Sequence, residues 1–145
     1  MRSQRKGLEV FVLRFVLALV LLAHGIGHSM GLLAVSKVAV VNPAWTGDTW
    51  ILGTVGGTTF IHAAGIVLWT VALVGFTALA AVVVGWLPTS LWAPAGIVAS
   101  VASLIGIVLF PVAFPLFSTI GAAAVDLAVL AAIVWLSWTP ADLAS

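Results

Sequence analysis

The stretch that decides the fold is LEVFVLRFVLALVLLAHGIGHSMGLL, residues 8–33. A helix of about 20 apolar residues crosses the hydrocarbon core of a bilayer, and this stretch is longer than that. Only Glu9 and Arg14 are charged in it, and both lie in its first half. Its second half holds His24 and His28, which are one helical turn apart. The stretch therefore predicts a membrane-spanning helix that carries two histidines.

The composition of the whole chain is that of a membrane protein. Of 145 residues, 63% are hydrophobic and 6% are charged, with a mean hydropathy of +1.32. An ordinary soluble domain has about 25% charged residues, so the charged side chains here are too few to cover a soluble core. The chain has no cysteine, which excludes disulfides and thiolate ligands. A net charge of +1 gives no basis for binding nucleic acid, and the expected partner is the lipid bilayer.

Proline and glycine divide the rest of the chain into three further apolar segments. Pro88 separates the second segment from the third, and Pro111 and Pro115 separate the third from the fourth. Such short connections favour antiparallel neighbours. We predict one all-α membrane domain over residues 1–145, an antiparallel bundle of four transmembrane helices. The predicted helices cover residues 8–33, 58–86, 90–110 and 116–138.

Positive charge near the first span predicts the orientation. Four basic residues surround its start and one lies in the first loop: Arg2, Arg5, Lys6 and Arg14, against Lys37. By the positive-inside rule both termini are expected to be cytoplasmic. The loop at residues 34–57 would then be external. It is long for a plain connection and contains Trp45 and Trp50, so it is expected to be either a lid over the bundle or a loop anchored at the membrane surface.

Four ionisable residues fall inside the predicted spans: His24, His28, His62 and Asp126. Burying such groups in lipid costs about 2.5 to 3.5 kcal/mol for Asp, so each is a candidate site residue. At 1.5 Å of rise per residue, His28 and His62 lie about 6 to 8 Å from the outer helix ends. His24 and Asp126 lie about 12 to 14 Å from them. We predict that His28 pairs with His62 and that His24 pairs with Asp126, all in the outer half.

Trp69 is the aromatic candidate of the same site. It follows His62 by seven residues and shares its helix face, so it is expected to form a floor beneath the polar level. Each pairing also has a purely structural interpretation. His24 and Asp126 would then only hold helices together, and His28 and His62 would only be hydrated by headgroup water.

Three histidines and an aspartate are compatible with three kinds of bound group: a transition-metal ion, a b-type haem or a quinone-like molecule. Imidazole nitrogens with a carboxylate suit a transition-metal ion, and a spacing of four residues places two histidines on one helix face. In that case the ligands are His24, His28, His62 and Asp126. A b-type haem needs two axial histidines from facing helices, which His62 and one of the other two would supply. A quinone-like molecule would accept a hydrogen bond from a histidine.

The motif AHGIGHSMG resembles the HGxxHxxG signature of small four-helix membrane proteins of actinobacteria, which are similar to DoxX-like proteins. His24, Gly25, His28 and Gly31 match that signature. The resemblance covers most of the chain and implies a bacterial inner membrane location. Because DoxX-like proteins are linked to quinone-coupled oxidation, it also implies a redox role. It assigns no role to His62 or Asp126.

The leading hypothesis is a small inner-membrane protein whose His/Asp cluster binds a metal, haem or quinone-like ligand, with Trp69 beside it, in a redox or accessory role. One alternative is a non-catalytic subunit or assembly factor that packs against partner helices or another copy of itself. Another is a proton-coupled carrier for a small solute. The sequence identifies no catalytic residue.

Overall fold

The computed structural model describes residues 2–39, 42–51 and 57–144. Four long helices account for most of these residues, and the described part of the chain contains no strand. Each helix is long and apolar enough to cross a membrane. The helices are α1 Arg2–Ser36, α2 Thr58–Val83, α3 Trp92–Leu109 and α4 Leu116–Val134. Short 3-10 turns precede α3 and follow α4, at Thr89–Leu91 and Pro140–Ala144.

Helix α1 is longer at both ends than the predicted span 8–33. It begins at Arg2 because the residues before Leu8 contain no proline and the single Gly7 is tolerated, whereas the apolar pattern marks only the part suited to lipid. An ion pair between Arg5 and Glu9, 3.4 Å apart and one turn from each other, lies in this extension. The helix ends at Ser36 because Lys37 adopts the left-handed region, with φ of 57°.

Helices α2 and α4 end earlier than predicted, at Val83 and not residue 86, and at Val134 and not residue 138. In α2 the cause is Gly85, whose φ is 84°: its N–H donates to the Val82 carbonyl, and the next N–H donates to the Ala81 carbonyl. This is the hydrogen-bond pattern of a Schellman cap. Ser137, with φ of 49°, lies just beyond the end of α4. Helix α3 is within two residues of its prediction at each end.

The helices pack in chain order, α1 on α2, α2 on α3 and α3 on α4, and no comparable contact closes α1 on α4. We call this gap the α1–α4 seam. The first half of α1 and the segment after α4 lie at one end of the bundle, the terminal end, where Arg14 Nη2 donates to the Pro140 carbonyl at 3.1 Å. Trp92 Nε1 also donates there, to the Trp138 carbonyl at 2.9 Å. The opposite end, with the described loop residues 37–39 and 42–51, is the loop end.

Two apolar cores fill the bundle, one above the other. The loop-end core is formed by Val35, Trp69, Phe110 and Ala113. The larger terminal-end core includes Leu21, Phe76, Leu79, Val83 and Trp92. The described part of the long loop covers the loop end: Trp50 Nε1 donates to the Val108 carbonyl, and the Thr46 N–H donates to the Val112 carbonyl. His24, His28 and Asp126 lie between the two cores.

Candidate functional site

Three polar side chains from α1 and α4 meet between the two cores. His24 Nε2 lies 2.9 Å from Asp126 Oδ1, and His28 Nε2 lies 3.3 Å from His24 Nε2. Asp126 is fully buried, His28 is 2% exposed, and the side chain of His24 is 8% exposed. We call His24, His28 and Asp126 the His/Asp cluster. The predicted pairing of His24 with Asp126 is confirmed.

The hydrogen bonds of the cluster compete for one atom. His24 Nε2 lies within hydrogen-bond distance of both Asp126 Oδ1 and His28 Nε2. An imidazole nitrogen carries either one hydrogen or one lone pair in the ring plane, so it makes one good hydrogen bond. If Nε2 donates to Asp126, it has no lone pair for His28; if it accepts from His28, it has no hydrogen for Asp126. At best one N–H on His24 Nε2 is shared between Asp126 Oδ1 and His28 Nε2, so the two contacts are not both full hydrogen bonds.

Ser103 on α3 fixes the orientation of the aspartate. Its Oγ donates to Asp126 Oδ2 at 2.6 Å, which leaves Oδ1 directed at His24. The serine is fully buried. The sequence predicts an ordinary interhelical or back-bonded hydroxyl at Ser103, and the bond is interhelical, but its partner is a cluster residue. Outer-shell hydrogen bonds of this kind hold a ligating carboxylate in position in metal sites.

Aromatic side chains enclose both imidazoles. The His28 ring stacks on Trp69, with centroids 5.6 Å apart and an interplanar angle of 19°. The His24 ring meets Phe76 edge to face at 4.3 Å. Trp69 is fully buried but is not a floor below the polar level as predicted; it lies beside His28, in the core on the loop-end side. Phe114 completes this wall, with its ring centroid 6.4 Å from that of His28.

His62 is not part of the cluster. It is half-buried and makes no hydrogen bond or ring contact with any residue that the structure describes, so the predicted pairing with His28 is wrong. Close contacts join Gly31 to Trp69 and Gly65 to Val35, which sets the register of α1 against α2. In this register His62 lies opposite position 38, roughly ten residues or about 15 Å beyond His28 along the bundle. The prediction failed because it took the outer ends of the two helices as level.

A cavity of about 210 Å³ adjoins the cluster in the α1–α4 seam. Both histidines line it, together with small or flexible residues of α1 and residues of and before α4. These other lining residues are Ala23, Gly27, Met30, Phe114, Ser118 and Ala122. The cluster is therefore in contact with a space that fits a small molecule.

Sequence signals for the missed neighbours exist but are weak. Phe76 follows Trp69 by seven residues and so shares its helix face. Ser103 is one of two serines in the otherwise apolar α3, and nothing in its spacing connects it to Asp126. Phe114 lies between two prolines, outside every predicted span.

Comparisons of the chain with protein-family models, with curated proteins and with solved structures gave no match. The chemistry of the site is inferred from its own geometry.

Proposed function

We propose that this protein is an integral membrane protein, with both termini cytoplasmic, whose His/Asp cluster binds a transition-metal ion. Four apolar helices of spanning length support membrane insertion, and the basic residues near the start of α1 support the orientation. The resemblance of the motif at residues 24–31 to proteins of actinobacteria favours a bacterial inner membrane. We also propose a redox or accessory role for the ion, because the proteins that the motif resembles are similar to DoxX-like proteins, which are linked to quinone-coupled oxidation.

The observation that carries the metal assignment is the convergence of three donor atoms on one point. A metal ion accepts a lone pair from each of His24 Nε2, His28 Nε2 and Asp126 Oδ1 at once, so it removes the competition for the single position on His24 Nε2. Protons serve all three atoms only through a shared, three-centre hydrogen bond, in which one N–H on His24 points between the two acceptors and neither bond is fully formed.

The distances fit an ion at that point. Zinc binds imidazole nitrogen at about 2.0 to 2.1 Å in tetrahedral sites, which places neighbouring ligand atoms about 3.3 Å apart. The cluster has separations of 2.9 and 3.3 Å, and its three donor atoms all lie within 4.8 Å of one another. Coordination of one ion would require the widest separation, up to 4.8 Å, to shorten, because two ligands at about 2.1 Å from an ion lie at most about 4.2 Å apart.

The donor set narrows the choice of ion. Two imidazoles and one carboxylate suit Zn, Cu, Fe or Ni, and the chain has no thiolate to offer. Haem is not supported, because its two axial ligands must approach the iron from opposite faces. Both cluster histidines lie on α1, with their Nε2 atoms 3.3 Å apart, and His62 is outside the cluster.

The second candidate is a quinone-like ligand bound without a metal, and the cavity beside both histidines favours it. A carbonyl oxygen in that space would accept a hydrogen bond from an imidazole. The two candidates give Asp126 different roles. In the first it is a metal ligand. In the second it only orients His24.

Metal analysis of the purified full-length protein tests the proposal. After chelator treatment and reconstitution with Zn(II) or Co(II), we expect one ion per chain, and for Co(II) the visible absorption of a tetrahedral site. The variants His24→Ala and Asp126→Asn should bind no stoichiometric ion. Asp48→Asn is the matched control, because Asp48 is an exposed carboxylate in the long loop.

Helical circular dichroism of every variant shows that loss of the ion is not loss of the fold. Wild-type protein that binds no ion, or an Asp126→Asn variant that binds it as the wild type does, contradicts the proposal. In the first case the quinone-like ligand and the partner-helix role are the surviving hypotheses.

A further inference from the structure

The His/Asp cluster is closed along the bundle axis in both directions. On the loop-end side the buried side chains of Trp69, Phe110 and Val35 cover it. On the terminal-end side Leu21 and Phe76 belong to the other core, which continues to Trp92. Water or a solute that moved along the axis would have to displace side chains of one of these buried cores.

The open side of the cluster is the α1–α4 seam. Ala23 on α1 and Ser118 on α4 are exposed and line the 210 Å³ cavity, so the cavity opens between these two helices. The α1 surface beside the opening is apolar: Ile26, next to Gly27, is 55% exposed. From Phe15 to Ser36 the chain has no Asp, Glu, Lys or Arg. In a bilayer this opening faces hydrocarbon.

We infer that the fourth coordination position of the proposed metal faces this cavity, and that a small lipid-soluble molecule with an oxygen or nitrogen donor reaches it from the lipid phase. The inference rests on the proposed metal function. Three protein ligands with a fourth position left for an exogenous ligand are typical of catalytic metal sites, whereas structural sites have four protein ligands. A cavity of about 150 Å³ is known to hold benzene, so 210 Å³ admits a molecule of about one aromatic ring.

Gly27 and Gly121 provide a matched pair of variants. A Cβ added at either glycine would meet no atom within 4 Å, so a side chain at either position should not disturb packing. Gly27 lines the cavity, whereas Gly121 is exposed on α4 and does not. The Gly27→Leu variant therefore fills the opening, and Gly121→Leu introduces the same side chain at the lipid surface nearby.

The test uses full-length Co(II)-loaded protein in lipid nanodiscs and two probes with the same donor. 4-Phenylimidazole partitions into lipid and would place its imidazole ring in the cavity, with the phenyl ring towards the lipid through the opening. Imidazole-4-acetate is charged and stays in water. We expect 4-phenylimidazole to change the Co(II) visible spectrum in a saturable way, at about tenfold or more lower concentration than imidazole-4-acetate. Gly27→Leu should weaken this response by about tenfold or more, because one misplaced group in a hydrophobic pocket has that effect.

Two controls distinguish failure of this inference from failure of the proposed metal site. Gly27→Leu must retain one Co(II) per chain, and Gly121→Leu must respond to 4-phenylimidazole as the wild type does. Equal responses to both probes, no response to either, or a wild-type response in Gly27→Leu overturns the inference and leaves the metal site standing. Wild-type protein that binds no Co(II) overturns the proposed function, and this inference with it.

Discussion

The two sides of the segment HGIGHSMG, residues 24–31, use glycine in opposite ways. Towards α2, a Cβ on Gly25 would lie 3.1 Å from Phe76 Cβ, and one on Gly31 would lie 2.9 Å from the Trp69 ring. Towards the α1–α4 seam, a Cβ on Gly27 would meet nothing within 4 Å. The closed side brings aromatic rings against both imidazoles and fixes their position. The open side leaves them accessible, so one motif supplies both rigidity and access.

The largest effect is expected from filling the closed side. In Gly31→Leu the new side chain overlaps Trp69 and Phe114, and their displacement should lower the free energy of unfolding by about 3 kcal/mol. Gly27→Leu, on the open side, should not lower it, because leucine favours helix over glycine and a Cβ there meets no neighbour. Denaturation in the same detergent, followed by circular dichroism, measures both variants. If the two variants are equally stable, the two sides do not differ in packing and the comparison fails.

The next effect is expected at Ser103, which supports the cluster from the closed side. Ser103→Ala leaves Asp126 Oδ2 buried without its 2.6 Å hydrogen bond, which should cost about 2 kcal/mol of stability. Because the carboxylate also loses its orientation, metal affinity should fall by about 10- to 100-fold. Competition with a chelator of known affinity measures the second effect.

Ser100 is the matched control for that variant. It is fully buried one turn from Ser103, and its Oγ has no hydrogen-bond partner among the described residues. Ser100→Ala should therefore leave metal affinity unchanged and give equal or greater stability. Similar losses of affinity in both variants would show that the hydroxyl on Asp126 has no orienting role.

A smaller effect on the free energy of unfolding is expected when a single methyl group is added at Gly25 or Gly27 of the motif. Gly27→Ala should raise the free energy of unfolding by about 0.5 to 1 kcal/mol, because alanine favours helix and the added methyl meets no neighbour. Gly25→Ala gains the same propensity, but its methyl would lie 3.2 Å from the Leu73 carbonyl oxygen, in the backbone of α2, which has to shift. Thermal unfolding should place the two variants on opposite sides of the wild type. Stabilisation of both would contradict the close approach of α1 to α2.

The sequence predicted the fold better than the site because the two depend on different information. Apolar length and the prolines are local signals, and they place all four helices to within six residues at each end. The ends that shifted depend on backbone conformation, such as the positive φ at Lys37 and Gly85, and hydropathy does not report it. Gly85 was a readable signal for the end of α2, since glycine is the residue most often found just past a helix.

The site depends on the register between helices, which the sequence does not state. His24 and His28 are linked by spacing alone, and Asp126 meets His24 because both lie deep within their helices. Asp126 is one position from Val125, the middle residue of α4, so even an approximate depth brought it to the right level. For His62 the same estimate failed, because α2 begins well beyond the level at which α1 ends. Ser103 acts through Asp126, and only a known α3–α4 register reveals this contact.

The smallest effect is expected at His62, and it tests the register directly. His62→Ala should change the free energy of unfolding by less than about 0.5 kcal/mol, because the side chain is half-buried and has no hydrogen bond within the described residues. Metal stoichiometry and affinity should equal those of the wild type, whereas His28→Ala should reduce affinity strongly. Both variants replace a histidine by alanine on neighbouring helices. A difference in metal affinity between them therefore depends on where the histidine lies and not on the kind of substitution. A loss of metal in His62→Ala would require α2 to lie about 15 Å from its present register against α1.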